Sequence, residues 1–143
     1  MNFLKRIFST AAIIIAVGLF IAEPSFQSPM LRAINQQREA FGVPAVREDV
    51  LMDRGAQERA IRISDPGEFS HTGFESSINR VLTTYKNFDI GENLGSGYKT
   101  EEDITRAWMN SPAHKEIILD PSFRFLGWGV YKDYWVLWMS ARE

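Results

Sequence analysis

"FRFLGWGVYKDYWVLWMSA", residues 123–141, decides the fold. Apolar side chains run with period two on both sides of Lys132-Asp133, which reads as two strands joined by a tight turn. Leu126, Trp128 and Val130 point one way, and Phe125 and Tyr131 the other. In the second strand Tyr134, Val136 and Trp138 oppose Trp135, Leu137 and Met139. Both faces are therefore apolar, and both must be covered. Upstream segments offer helices as the cover, and layer packing then gives an α+β, three-layer α–β–α sandwich with this antiparallel hairpin in its central sheet. A lone hairpin is not stable in water. A further strand must come from segments that otherwise read as loop, such as 43–47.

The covering helices carry their own punctuation. Ser28-Pro29 is a helix start, with a hydroxyl at the N-cap and proline in the first turn. The helix runs to about Phe41, and Gly42 stops it. Its apolar stripe is Leu31, Ile34 and Phe41, and Arg38 falls on the same stripe. An arginine there must reach a carboxylate or backbone carbonyls, or else snorkel to water. Asp49 caps a second helix through about Ile63, lined by Met52, Ala56, Ala60 and Ile63, with Arg59 inside the apolar arc. Gly55 in that helix points to close approach of another backbone. "SDPGEFSHTG" reads as loop, and a third helix follows near Glu75 to Lys86 on the stripe Ile78, Val81, Leu82 and Tyr85. "NFDIGENLGSGYK" reads as loop again because of its three glycines. Thr100, with Asp103 three residues on, opens a fourth helix in which Ile104, Ala107 and Trp108 face inward. Ser111-Pro112 starts a last short helix carrying His114, Ile117 and Ile118.

Residues 1–22 stand apart. Lys5 and Arg6 precede an apolar run from about Ile7 to Ala22, the pattern of a secretory signal. Left uncleaved, the run is an anchor, although it falls short of the ~18 apolar residues of a confident span. Either way the remainder is expected outside the cytoplasm, with a linker at 23–29 and one domain over 30–143. Cysteine is absent, so neither a disulfide nor a thiolate zinc site is available. The formal charge is −2, and setting aside Lys5 and Arg6 leaves 14 basic against 18 acidic residues. With no basic stripe, nucleic acid is excluded as the expected partner.

Only two histidines occur, His71 in "FSHTG" and His114 in "SPAHKEIIL". Spacing alone does not bring them together, and a histidine beside a turn is most often a structural donor. The ordered motifs say more. "INQQR" (34–38), "AQERA" (56–60), "FSHTG" (69–73), "IGENLGSG" (90–97), "AWMNSPAHKEIIL" (107–119) and "LGWGVY" (126–131) together resemble the CAP superfamily, or SCP domain, in its cysteine-free bacterial branch. That resemblance implies the three-layer sandwich and a cleft where His71, Glu92 and His114 meet, with Ser111 and Asn93 beside them. Three positions depart from the family pattern: Ser111 stands near a position that is acidic in animal members, Ile117 replaces a usual asparagine, and Glu48 replaces a common tryptophan.

Two imidazoles and one carboxylate are a ligand set for a divalent metal such as zinc, with one position open to water. His71, Glu92 and His114 are thus the expected metal ligands and also the candidate catalytic residues, Glu92 as general base. Asn93 reads as a structural residue bonding nearby backbone. Ser70 and Ser111 lie near histidines, but Ser111 reads as an N-cap, and no strained nucleophile elbow is present. "GSG" lacks the lysine of a phosphate-binding loop. The tryptophans read as core. Two functions remain: an extracytoplasmic domain that binds a small ligand, lipid or cell-wall component, and a hydrolase acting on peptidoglycan or peptides. The membrane enters only through an uncleaved leader.

Overall fold

The structure is a computed structural model that describes residues 27–81, 83 and 88–142. The leader at 1–22, most of the linker, and Leu82, Tyr85 and Lys86 of the expected third helix lie outside the described residues. In chain order the elements are α1 (Pro29–Ala40), β1 (Arg47–Glu48), α2 (Val50–Ile63), α3 (Phe74–Val81), β2 (Phe88–Ser96), α4 (Glu101–Met109), α5 (Pro112–Leu119), β3 (Phe125–Tyr131) and β4 (Tyr134–Arg142).

The C-terminal hairpin forms as its alternation requires, with Tyr131 opposite Tyr134 and Lys132 at φ 56 in the turn. The sheet order is β1-β3-β4-β2: β1 runs parallel to β3, and the other pairs are antiparallel. The two faces separate as the sequence reading expects. Leu126, Trp135, Leu137 and Met139 pack with Met30, Leu31, Ile34, Ile104, Trp108 and Ile118 beneath α1, α4 and α5. Val136 and Trp138 pack with Met52, Ala56, Ala60, Ile63 and Ile78 beneath α2 and α3. Three layers result, and the buried tryptophans are core.

Helix α2 sits directly on β3 because Gly127 and Gly129 leave room for it. A Cβ at Gly127 would strike the backbone of Met52 and Asp53, and one at Gly129 that of Ala56 and Gln57. Asp49 caps α2 by accepting from the amides of Leu51 and Met52. Gly55 answers to a different neighbour than expected: the ring of Trp138, not a backbone, fills the space over it.

Arg38 is fully buried and meets four carbonyls. Its Nε donates to Pro44 at 2.7 Å, Nη1 to Ile118 and Asp120, and Nη2 to Phe123. One guanidinium thereby fastens the end of α1 to the end of α5 and to the chain entering β3. The snorkelling alternative is ruled out, and burial lowers the Arg38 pKa. Phe41, placed on the buried stripe by its spacing, is instead 52% exposed beneath the Lys115 ammonium.

The largest correction concerns 88–96. This stretch is a nine-residue strand, not a loop. Gly91 and Gly95 are places of close approach: a Cβ there would meet Ile117 and Ile104 respectively. Only Gly97, at φ +86, behaves as a turn glycine.

Candidate functional site

Strand β2 positions the site. Among the described residues it pairs only with β4 and lies at the sheet edge. Glu92 stands opposite Trp138 in the register and so faces α2, whereas Asn93 stands opposite Leu137 and faces α5. Histidines arrive from both sides of this edge: His71 from the loop between α2 and α3, and His114 from α5.

Glu92 is buried, and four donors meet it. Arg59 Nε and Nη2 donate at 3.0 and 3.1 Å, Trp138 Nε1 at 3.0 Å, and His71 Nδ1 lies at 3.0 Å from Oε1. Because Glu92 is paired with a guanidinium, it is ionised and can only accept. His71 Nδ1 therefore carries the hydrogen and Nε2 is the free nitrogen. Arg59 also donates to the carbonyls of Ser70 and Thr72, gripping the loop on either side of His71. The His71 side chain itself is 59% exposed.

Arg59 is the functional residue that sequence reasoning missed. Its signal was present: an arginine inside the apolar arc of α2 needs a buried partner. Glu92 is that partner, with both side chains about 1% exposed.

Opposite, His114 Nδ1 lies 2.9 Å from Ser111 Oγ. Ser111 is the N-cap residue of α5 as expected, but its hydroxyl makes no capping bond and serves the imidazole instead. Asn93 Nδ2 donates to the His114 carbonyl, tying β2 to α5 rather than holding a loop, and its Oδ1 is buried without a partner among the described residues. Burial, and after it the nearby His71, lowers the His114 pKa. The two imidazoles are therefore within each other's field. Beside His114 opens a cleft of about 330 Å³ whose lining includes Phe69, Leu94, Ser96, Trp108, Ser111 and His114; of the expected cleft residues, His71, Glu92 and Asn93 are not among those that line it. Ile117, in place of the usual asparagine, packs over Gly91. Glu48, in place of the usual tryptophan, lies away from the cleft and accepts from Ser28 Oγ and Trp128 Nε1.

These side chains do not fit the expected three-ligand metal set. A carboxylate offers about four lone-pair sites, and the four donors fill those of Glu92. That leaves two imidazole nitrogens, short of the three protein ligands of a catalytic zinc site. Among the described residues no group of three or more His, Asp or Glu side chains is placed to hold a metal ion.

Element order, layering and the histidines flanking β2 define an α–β–α sandwich of the CAP/SCP class. The model of the CAP family, described as the cysteine-rich secretory protein family, matches residues 31–137, and the chain belongs to that family. An uncharacterised Bacillus subtilis protein, YkwD, is 27% identical over 119 residues, covering 80% of this chain and 45% of that protein. An uncharacterised Borreliella burgdorferi protein is 27% identical over 89 residues, covering 61% of this chain and 57% of the relative. The chain thus spans about half the length of these curated relatives. Among solved structures, an extracellular SCP-domain protein of Bacillus anthracis superposes with a TM-score of 0.73 at 20% identity, covering 79% of this chain and 39% of that one. An outer surface protein of Borrelia burgdorferi gives 0.69 at 24% identity, with 80% and 90% covered. At these identities the structural likeness speaks for the fold alone.

Proposed function

We propose that the chain is an extracytoplasmic recognition domain whose cleft holds a small ligand, lipid or cell-envelope component reversibly. One observation carries this reading: Glu92, the obvious base, is already spent on Arg59, Trp138 and His71. A general base must reach a proton of water or substrate. Glu92 instead holds His71 in one tautomer, and Arg59 cancels its charge. Exposed Phe69 and Tyr98 border the same cleft and offer contact area to a ligand. The compartment is argued from the signal-like residues 1–22 and from similar proteins described as extracellular or outer surface.

The hydrolase alternative gives Glu92 a water held by His71 and His114. It conflicts with the filled coordination of the carboxylate. Incubating the full chain with purified cell wall, with and without chelator, separates the two readings. Retention of the protein without release of soluble fragments is expected, and retention falls in His114→Ala and Phe69→Ala. Soluble muropeptides appearing under any metal condition would overturn the binding reading.

A further inference from the structure

Four aromatic side chains are exposed among the described residues: Phe41, Phe69, Tyr98 and Tyr131. Three of them line one path. Phe69 and Tyr98 belong to the cleft beside His114. Tyr98 continues into a second depression of about 350 Å³, and Phe41 stands in a third of about 380 Å³ between α1, α4 and α5. The depressions share walls. Tyr98 and Ala107 line the first and the second, and Arg106 and Asn110 the second and the third. The path therefore leaves the sheet edge, crosses α4 and ends against α1. Ala107 is its saddle, where a methyl group leaves the passage over the helix open. A helix is about 10–12 Å across with its side chains, so a ligand that fills the path is an elongated one.

The walls tell what kind. Beyond the cleft the side-chain amides of Gln36, Gln37 and Asn110 have no hydrogen-bond partner among the described residues. A hydrocarbon tail laid there would strip water from these amides and return no bond. Charge follows the same course. Lys99 and Arg106 line the second depression, and Arg106 and Lys115 the third. Against these three cations stand two carboxylates, Asp103 and Glu102, of which Asp103 is paired with Arg106. Lys99 has no ion-pair partner among the described residues. The Lys115 ammonium rests 4.3 Å over the Phe41 ring. The path is thus locally positive on a chain whose formal charge is −2.

We infer that the path takes a linear acidic polysaccharide, which enters the cleft at Phe69 and runs over α4 to Phe41. A sugar ring has an apolar C–H face and a rim of hydroxyls. The face lies on an exposed aromatic ring, and the hydroxyls bond amides that both donate and accept. Aromatic rings set at intervals, with amides between them, suit a chain of such units, and its carboxylates meet Lys99 and Lys115. The inference rests on the cleft-binding reading and adds the class of the ligand and its course beyond the cleft.

Isothermal titration calorimetry of the full chain with oligogalacturonates, from disaccharide to octasaccharide, tests this, beside neutral gluco-oligosaccharides of the same lengths. Affinity for the acidic series is expected to rise with length as linked units fill successive depressions, to exceed that for the neutral series, and to fall with added salt. Phe41→Ala and Lys115→Gln, at the far end from the cleft, are each expected to weaken the octasaccharide about fivefold. Ala107→Leu, which fills the saddle, is expected to abolish the gain with length. Near-ultraviolet circular dichroism checks that the variants are folded. Affinity independent of length, with folded Phe41→Ala and Lys115→Gln binding the octasaccharide as tightly as the unaltered chain, overturns the path. Equal affinity for the acidic and neutral series at low salt overturns the acidic class, and binding of neither series overturns the polysaccharide altogether. In each of these cases a loss of cell-wall retention in Phe69→Ala and His114→Ala would leave the cleft reading standing.

Discussion

Replacing Arg59 with methionine tests the centre of the site. The substitution keeps a long apolar stem on α2 but leaves the buried Glu92 carboxylate without its counter-charge and the Ser70 and Thr72 carbonyls without donors. Breaking a buried ion pair from one side costs about 3–5 kcal/mol. For a domain of this size that corresponds to a fall in Tm of roughly 10–20 °C, and it consumes a large part of the 5–15 kcal/mol typical of such domains. Removing both charges is a different matter, since a buried pair exchanged for apolar side chains is often close to neutral. Arg59→Met combined with Glu92→Met is therefore expected to be less destabilised than the sum of the single variants by at least about 2 kcal/mol. Urea unfolding followed by tryptophan fluorescence reads all three, with Trp138 reporting from the site itself. Additive single effects, or a cost below about 1 kcal/mol for Arg59→Met, would refute the view that this pair anchors the site.

Three further outcomes follow from the packing. Burial, with Glu48 and Asp49 nearby, raises the Asp53 pKa to about 6. With the folded value above the unfolded one, its contribution to stability is full below about pH 4 and is lost as pH rises through about 6. Asp53→Asn, which keeps an acceptor for Trp128 N, is expected to stabilise by about 1 kcal/mol at pH 7.5, after discounting for partial solvent exposure, and by nothing at pH 3.5; chemical denaturation at the two pH values checks this. Gly127→Ala is expected to cost more than about 3 kcal/mol because it strikes the Met52 backbone, whereas Gly91→Ala costs about 1 kcal/mol as the Ile117 side chain gives way; thermal melts compare them. Arg38→Met strands four carbonyls and is expected to cost about 3–5 kcal/mol, again read by urea unfolding.

How much was legible in the sequence depended on whether a residue's role was local. The caps at Ser28, Asp49 and Thr100 act within three residues, and each accepts the amide bond its motif calls for. The C-terminal hairpin was equally plain, because its period and turn lie in one run. Strand β2 was hidden because glycine marks turns and close approaches alike, and only the third dimension shows Ile117 and Ile104 over Gly91 and Gly95. Phe41 went astray for a related reason: helical spacing put it on the stripe, but α1 ends at Ala40 before it can turn inward. In the site, His71, Glu92 and His114 could be named from ordered motifs. The role of Glu92 could not, because its partner Arg59 is 33 residues away and sits in a helix whose pattern otherwise reads as core.

The account turns on Glu92 being a fixed anchor for His71, and the nitrogen shifts of the His71 ring test this most directly. Two-dimensional 15N NMR of the full chain at neutral pH is predicted to show His71 in the Nδ1–H form, with its Nε2 unprotonated, and to lose that preference in Glu92→Gln. A neutral His71 protonated at Nε2 in the unaltered protein would contradict it, since the carboxylate would then be free of the ring and open to act as a base.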